Sequence, residues 1–443
     1  MDEDSSKLNV FATGLRHADT NKFTMDIPIP TYLFAFLIGN FEHRKLNHRI
    51  GVVAEPAEIE ACVKELDELE TYVSTLEKLI FPYEFREYNV CILPRSFPYG
   101  GMENPIYTFA SPSIITGDRS GTTVAVHEIA HSWTGNLISC RNWQNFWMNE
   151  GFTVYFENAA LRVLNGEEYY NVSSIVEQKM LLKTINEFGK ENSFSSLTPQ
   201  IGHGNPDDAF SVVPYYKGYT FLTYLEQLVG AKPFLELLQR FLKKYSRKSV
   251  EWHQFRDEFN AYVAEHSIKL SEEVHWEEWI VKPGYPPRLD LFKSTRIDEV
   301  TELAKHIESD PEKFDTELGK LLADITPLNV RLLEVLLHLC QETPVTHETL
   351  KRIDGKFSLS TTLKNYSLMT EWFLLCLVNR FGDVIDNVEQ RLLSKMGRMK
   401  FIRPIYRELK KYNRALANTL FDRNKCHYAE IANDLIAKEL AKE

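Results

Sequence analysis

The period of apolar and polar positions changes several times along this chain, and each change predicts an element. Residues 23–39 are rich in aromatic and β-branched side chains and are interrupted by Pro28 and Pro30, which suits extended segments broken by prolines. From 55 to 79, acidic and apolar residues alternate at helical spacing, and 88–93 is a short apolar run that reads as a buried strand. Residues 147–157 form a second helical pattern with apolar positions to bury. From 216 to about 279 the pattern is mostly amphipathic helix. Beyond it, 318–441 is almost wholly helical, with leucine-rich stretches at 330–339 and 372–378 separated by short polar turns. No strict repeat is evident, but the pattern predicts stacked helices of solenoid type.

The clearest break is Lys282-Pro-Gly-Tyr-Pro-Pro287, because closely spaced prolines and a glycine cannot continue a helix. With 443 residues and 44% hydrophobic content, the chain is long enough for two or three cored domains. No stretch reaches the roughly 18 uninterrupted apolar residues of a membrane helix. A net charge of −11 disfavours nucleic acid and anionic membrane as partners. The acidic, polar start shows no secretory signal, and the six cysteines lack CxxC spacing, so reduced thiols in the cytoplasm are expected. The Asn-x-Ser matches at Asn171 and Asn365 are then expected to stay unmodified.

Chemistry enters with His127-Glu128-Ile129-Ala130-His131. Histidines at i and i+4 leave one face of a helix, so both imidazoles can reach one metal ion. A catalytic zinc usually takes three protein ligands and keeps a fourth position for water. Glu150, 19 positions past His131 on the second predicted helix, is the natural third ligand. Glu128 sits beside a ligand, where it is placed to act as a general base. Glu157 lies seven residues after Glu150 on the same helix face, where it can either accept a hydrogen bond from a ligand histidine or serve as a packing carboxylate.

Further residues stand at ordered distances from this centre. Gly100-Gly101-Met102-Glu103-Asn104 ends 23 positions before His127, and Val213-Pro-Tyr215 ends 65 positions past Glu150. With the His127–His131 motif and Glu150, these segments resemble the zinc aminopeptidase family of the gluzincins. Trp133-Thr-Gly-Asn136, Ser211-Val-Val-Pro-Tyr-Tyr-Lys-Gly218 and Gly397-Arg-Met-Lys-Phe-Ile-Arg-Pro404 resemble the branch of that family containing the leukotriene A-4 hydrolases, which are bifunctional aminopeptidases and epoxide hydrolases.

The resemblance implies an α+β, mostly helical protein, with a thermolysin-like catalytic domain and a C-terminal helical solenoid. It implies one Zn2+ per chain, held by His127, His131 and Glu150, with Glu128 as the base. It makes Gly100, Gly101, Met102, Glu103 and Asn104 a substrate-binding segment whose Glu103 takes the free amino group, and Tyr215 the donor to the oxyanion. Arg398 and Lys400 would hold a substrate carboxylate, a task suited to the planar fork of arginine. With Glu103 at the other end they form a ruler for tripeptides and similarly short peptides. Asp207 matches an aspartate of a polar subsite. Phe210 stands where the vertebrate epoxide hydrolases carry a second tyrosine, so peptides rank above a fatty-acid epoxide as substrate.

Expected boundaries are 1–45 for the remnant of an N-terminal β-rich domain, 46–281 for the catalytic domain, 282–295 for the linker and 296–443 for the helical domain. Loss of the rest of the β domain should leave strand edges and apolar surface uncovered.

Overall fold

The computed structural model describes residues 8–18, 20–202 and 204–442. Its organising element is a five-stranded sheet. Strands β1 (Asn9–Ala12), β2 (Leu15–Arg16), β3 (Phe23–Thr24) and β4 (Phe36–Gly39) precede it as two small antiparallel pairs, β1 with β4 and β2 with β3. The sheet itself consists of β5 (Glu42–Lys45), β6 (Ile50–Ala54), β7 (Tyr88–Ile92), β8 (Gly101–Met102) and β9 (Tyr107–Ala110), in the order β5-β6-β7-β9-β8. The three central strands are parallel, and every residue of β6 and β7 is buried, as expected of strands covered on both faces.

One face carries Val52, Val90 and Ile92 into the main core, against α1 (Ile59–Glu65), α2 (Leu69–Leu79), α3 (Thr123–Ala130) and α4 (Trp147–Asn165). On the other face, Val53 and Cys91 pack with Phe11, Phe41, Ile106 and Tyr107, so the N-terminal strands form a lid on the sheet. Their outer surface is bare: Phe34, Phe36 and Ile38 are 65%, 60% and 55% exposed. The boundary expected at residue 45 falls between β5 and β6, which pair as one antiparallel hairpin.

The catalytic half is completed by α5 (Glu167–Phe188), α6 (Gly218–Val229), α7 (Ala231–Lys244), α8 (Trp252–Glu265), α9 (Trp276–Ile280) and a parallel pair, β10 (Ile138–Cys140) with β11 (Lys248–Val250). Eleven helices follow: α10 (Thr295–Ala304), α11 (His306–Ser309), α12 (Pro311–Ala323), α13 (Pro327–Leu339), α14 (His347–Phe357), α15 (Leu359–Thr362), α16 (Tyr366–Val378), α17 (Ile385–Asn387), α18 (Met399–Tyr412), α19 (Arg414–Asn424) and α20 (Glu430–Ala441). They stack around a second apolar core that meets the first through α5 and α13. Many begin on a side-chain cap, as at Ser294, Asp310, Thr326, Thr346 and Asn413. Asn365 caps α16 and donates to Ser120 while only 6% exposed, which leaves no access for a glycan. All six cysteines are free thiols. Among the described residues no helix is long and apolar enough to cross a membrane.

Candidate metal centre and active site

His127 lies in the last turn of α3 and His131 at its C-cap, so one helical turn delivers both imidazoles to the same side. Glu150 enters from the first turn of α4. His127 Nε2 and His131 Nε2 are 3.1 Å apart, and Glu150 Oε2 lies 3.4 Å and 3.3 Å from them. Ligands about 2.1 Å from a tetrahedral ion sit about 3.4 Å from one another, so the triangle has the size a zinc ion requires.

The outer nitrogens show that the lone pairs converge. His127 Nδ1 is 2.8 Å from Glu157 Oε2, and His131 Nδ1 is 2.8 Å from the Thr134 carbonyl oxygen. Each Nδ1–H donates outward, which leaves both Nε2 lone pairs facing a buried carboxylate oxygen that accepts no hydrogen bond. Three electron-rich atoms held this way are favourable around a cation, and the donor set fits zinc.

The surplus of negative charge that suits a cation also favours protonation of the imidazoles. Burial works against charge on both imidazoles, yet the carboxylates outweigh it: Glu157 and Glu150 lift His127 well above its ordinary value, and Glu103 and Glu150 lift His131 to about 9. Burial likewise opposes ionisation of Glu150, but His131 and His127 draw it down to about 2. Glu128 is the exception. Burial pushes it up to about 7 despite the adjacent histidines, which suits a base working near neutrality.

Glu128 has its space because residue 101 is glycine: a Cβ there would lie 2.3 Å from Glu128 Oε1 and 2.6 Å from its Cγ. The 100–104 segment is the edge strand β8 and the turn after it, and β8 pairs with β9 on one side only. Glu103 is buried, and its carboxylate oxygen lies within 4.8 Å of ligand atoms of Glu128 and His131. Burial, reinforced by Glu150 and opposed by His131, raises it above the usual carboxylate range. Its backbone is fixed by Asn136, whose Nδ2 donates to the Glu103 carbonyl at 2.8 Å, while Asn104 Nδ2 donates to the Leu33 carbonyl at 2.9 Å.

Tyr215 lies in a single π-helical turn, Val213–Lys217, with its ring 6.1 Å from that of His127 and nearly parallel to it at 21°. Burial and the carboxylates of Glu150, Glu103 and Glu128 hold the phenol well above its ordinary value, so it stays protonated and able to donate. Phe146 and Phe210 flank it edge-on at 6.2 and 6.4 Å.

Arg398 reaches the site from the C-terminal helices. Gly397 N donates to the Arg95 carbonyl at 2.8 Å and Met399 N to the Pro98 carbonyl at 2.9 Å, so Arg398 is gripped on both sides. Its guanidinium lies over Gly100 and donates to Ser113 Oγ at 3.1 Å. Arg398 and exposed Lys400 line a small cleft together with Ser113, Thr123, Tyr169 and Arg331. Arg331 is paired with Glu334 at 2.9 Å and Arg403 with Glu439, whereas no carboxylate among the described residues lies within ion-pairing distance of Arg398 or Lys400. The cleft therefore offers two uncompensated positive charges. Asp207 has its backbone in the turn Pro206–Ala209, and its side chain falls outside the described part of the molecule.

Three groups escaped the sequence reading. Thr153 Oγ1 lies 3.0 Å from His131 Nδ1 and donates to the Thr134 carbonyl at 2.8 Å, completing the support of that ligand. It follows Glu150 by three residues on one helix, a spacing that points to the same face. Tyr32 OH accepts from Asn149, the neighbour of Glu150, through a contact spanning 117 residues that no local pattern reveals. Lys217 is the third.

Two helices that aim two imidazoles and a carboxylate at one point, with a free carboxylate alongside, define a metallopeptidase of the His-Glu-x-x-His type. Residues 60–279 match the domain of peptidase family M1, and residues 329–440 match the C-terminal domain of leukotriene A4 hydrolase. The chain is 38% identical, over 98% of its length, to 72% of leucine aminopeptidase 2 of Aspergillus terreus, and 38% identical, over 94%, to 64% of a leukotriene A-4 hydrolase homolog of Botryotinia fuckeliana. Its fold superposes on yeast LTA4 hydrolase in complex with bestatin with a TM-score of 0.90 at 32% identity, covering 98% of this chain and 73% of that one. The chain belongs to peptidase family M1.

Proposed function

We propose that the protein is a zinc-dependent aminopeptidase that releases N-terminal residues from short peptides, with one zinc ion held by His127, His131 and Glu150. The observation that carries this reading is the converging triangle of Nε2, Nε2 and Oε2 atoms, of the size that one ion requires. Bound there, zinc supplies Lewis-acid polarisation of a carbonyl and acidifies water.

The remaining roles belong to the chain itself. Glu128 takes a proton from the attacking water and returns it to the leaving amine. Tyr215, kept protonated by its surroundings, donates to the developing oxyanion. Glu103 receives the substrate ammonium, which admits one residue between that anchor and the scissile bond, and the open edge of β8 accepts the peptide backbone as an added strand. Arg398 and Lys400 take the C-terminal carboxylate, which favours short peptides. The two separate apolar cores support a division into a catalytic region, 46–281, and a helical region, 296–443, joined by 282–295 and preceded by a β segment, 1–45.

Elemental analysis of purified protein should return one zinc per chain, and aminoacyl chromogenic substrates should be cleaved. Stoichiometric zinc without turnover of any such substrate overturns the reading. A second activity, hydrolysis of a fatty-acid epoxide, draws support from the match of residues 329–440 and from the unpaired Arg398 and Lys400. Phe210, half-exposed beside Tyr215, offers no hydroxyl to it, so peptide cleavage ranks first. Incubation with leukotriene A-4 and a search for a dihydroxy product decides this point.

A further inference from the structure

Lys217 has 0% exposure and ranks among the largest fully buried side chains of the molecule. Burying an ammonium costs several kcal/mol unless its protons are satisfied. No carboxylate among the described residues lies within ion-pairing distance of it. Instead Nζ donates to carbonyl oxygens of Ser195 at 2.9 Å, Gly284 at 2.9 Å and Lys282 at 3.2 Å, one acceptor for each proton. Burial alone would drive the ammonium down to about 7, and three carbonyls aimed at it oppose that by favouring the charged form.

The acceptor side is built to hold that shape. Gly284 has a φ of +101°, open to glycine at little cost, and its N–H donates to Ser195 Oγ at 2.8 Å. Leu197 and Thr198 both donate to the Ile280 carbonyl, which ties the loop after α5 to the start of the linker. Two separate segments thus meet at one side chain, and that side chain closes the π-helical turn carrying Tyr215.

A π turn is an uncommon geometry that persists where packing enforces it and is frequent at functional sites. Here it is held from two sides. Residues two apart on a helical turn point in roughly opposite directions, so Tyr215 projects toward the metal ligands and Lys217 away from them. Facing α4, the turn runs into Gly151, the neighbour of Glu150: a Cβ on Gly151 would lie 2.8 Å from the Gly218 Cα and 3.2 Å from the Pro214 carbonyl oxygen. Backbone contact stops the turn on that side, and the ammonium anchors it on the other. The span between Glu150 and Tyr215 is set between these two stops.

We propose that Lys217 is a positioning residue for the reaction, one that fixes the Tyr215 hydroxyl relative to the metal ligands by tying the π turn to the carbonyls of Ser195, Lys282 and Gly284. This rests on the role given to Tyr215 above. An apolar side chain of similar length leaves three buried carbonyls without their donor, so it should lower the melting temperature in either case. A lysine kept only for stability should still leave the turnover of the folded protein unchanged; a lysine kept for geometry should not, since misplacing a reacting group by about 1 Å costs about 100-fold.

The test compares Y215F, K217M and the double variant. Y215F should lower kcat about 100-fold to 1,000-fold, the usual cost of an oxyanion donor. K217M should lower the kcat of the folded protein by about 10-fold to 100-fold while KM and zinc content hold close to the parent. The double variant should be no slower than Y215F, because a group acting through Tyr215 has nothing left to position. Undiminished kcat in K217M, or losses that multiply in the double variant, overturns the proposal. Undiminished kcat in Y215F instead overturns the role of the tyrosine and is recognisable as that. If K217M does not fold, Ser195→Ala carries the test by loosening the acceptor turn: a fall in kcat seen in the parent and absent in Y215F supports the proposal, and equal falls in both overturn it.

Discussion

His127 and His131 owe their places to one turn of α3, whereas Arg398 owes its place to two backbone hydrogen bonds between the loop at 95–98 and a turn that begins the helix α18. The first pair is four residues apart, while Arg398 and its partner Ser113 are separated by 285. Each of the two regions has a charge problem with its own solution. At the metal end, buried carboxylates and imidazoles compensate one another around a point suited to a cation. At the other end, two cations stand without counter-charge and are suited to an anion. The metal end is therefore encoded by two helices close in sequence, and the cation end is a product of packing between distant segments.

Changes at the metal end should have the largest effects. Glu128→Gln keeps the shape of the base but cannot take a proton, so kcat should fall by about 100-fold to 10,000-fold with zinc retained, measured by turnover and elemental analysis on one sample. A variant that kept its rate would detach catalysis from Glu128. One rank smaller is the support of the ligands: Glu157→Ala and Thr153→Val each remove a partner of an outer imidazole nitrogen, and zinc affinity should drop by about 10-fold to 100-fold in competition with a chelator. If Glu157→Ala left affinity unchanged, Glu157 would be a packing carboxylate, the other role that its spacing allowed.

Legibility follows the same division. The convergence of His127, His131 and Glu150, the placement of Glu128 beside them and the Glu157 contact were readable because a helix converts spacing into direction, and the Tyr88–Ile92 strand was readable because both faces of it are buried. Glu103, Tyr215, Arg398 and Lys400 carry no local pattern that announces a function, and only resemblance to relatives singled them out. Tyr32 and Lys217 were missed by both routes, because their partners are brought to them by loops rather than by periodicity. The hairpin β5–β6 crossing the boundary expected at residue 45 has a similar cause, since a sheet is joined by pairing across gaps that composition does not register.

At the cation end, Arg398→Ala should lower kcat/KM for a tripeptide by about 10-fold to 100-fold, the usual worth of a hydrogen bond to a charged group. The same variant should leave an aminoacyl anilide, which has no carboxylate, close to the parent. Equal losses on both substrates would mean that Arg398 serves to shape the loop over Gly100 rather than to bind, and the two regions would not be separate devices.

The smallest effect concerns the border between the two ends. Glu177 on α5 is buried, accepts from Asn158 at 2.9 Å next to Glu157, and senses Arg331 of the helical domain. Burial, reinforced by Glu157 and opposed by Arg331, pushes it up to about 8 from an ordinary value of 4.5. An acid raised on folding binds more protons in the native state than in the unfolded one, so its ionisation costs stability progressively as pH climbs from about 4.5 to 8, and the cost is constant above that. Glu177→Gln keeps an acceptor for Asn158 and has nothing to ionise. Its melting temperature relative to the parent should therefore rise by several degrees between pH 5 and pH 8 and level off beyond, in scanning calorimetry at fixed salt and zinc. A difference independent of pH would show that Arg331 already keeps Glu177 ionised. The border would then carry a charge pair between Arg331 of the helical domain and Glu177, the neighbour of Glu157, and the two regions would be electrostatically joined rather than separate.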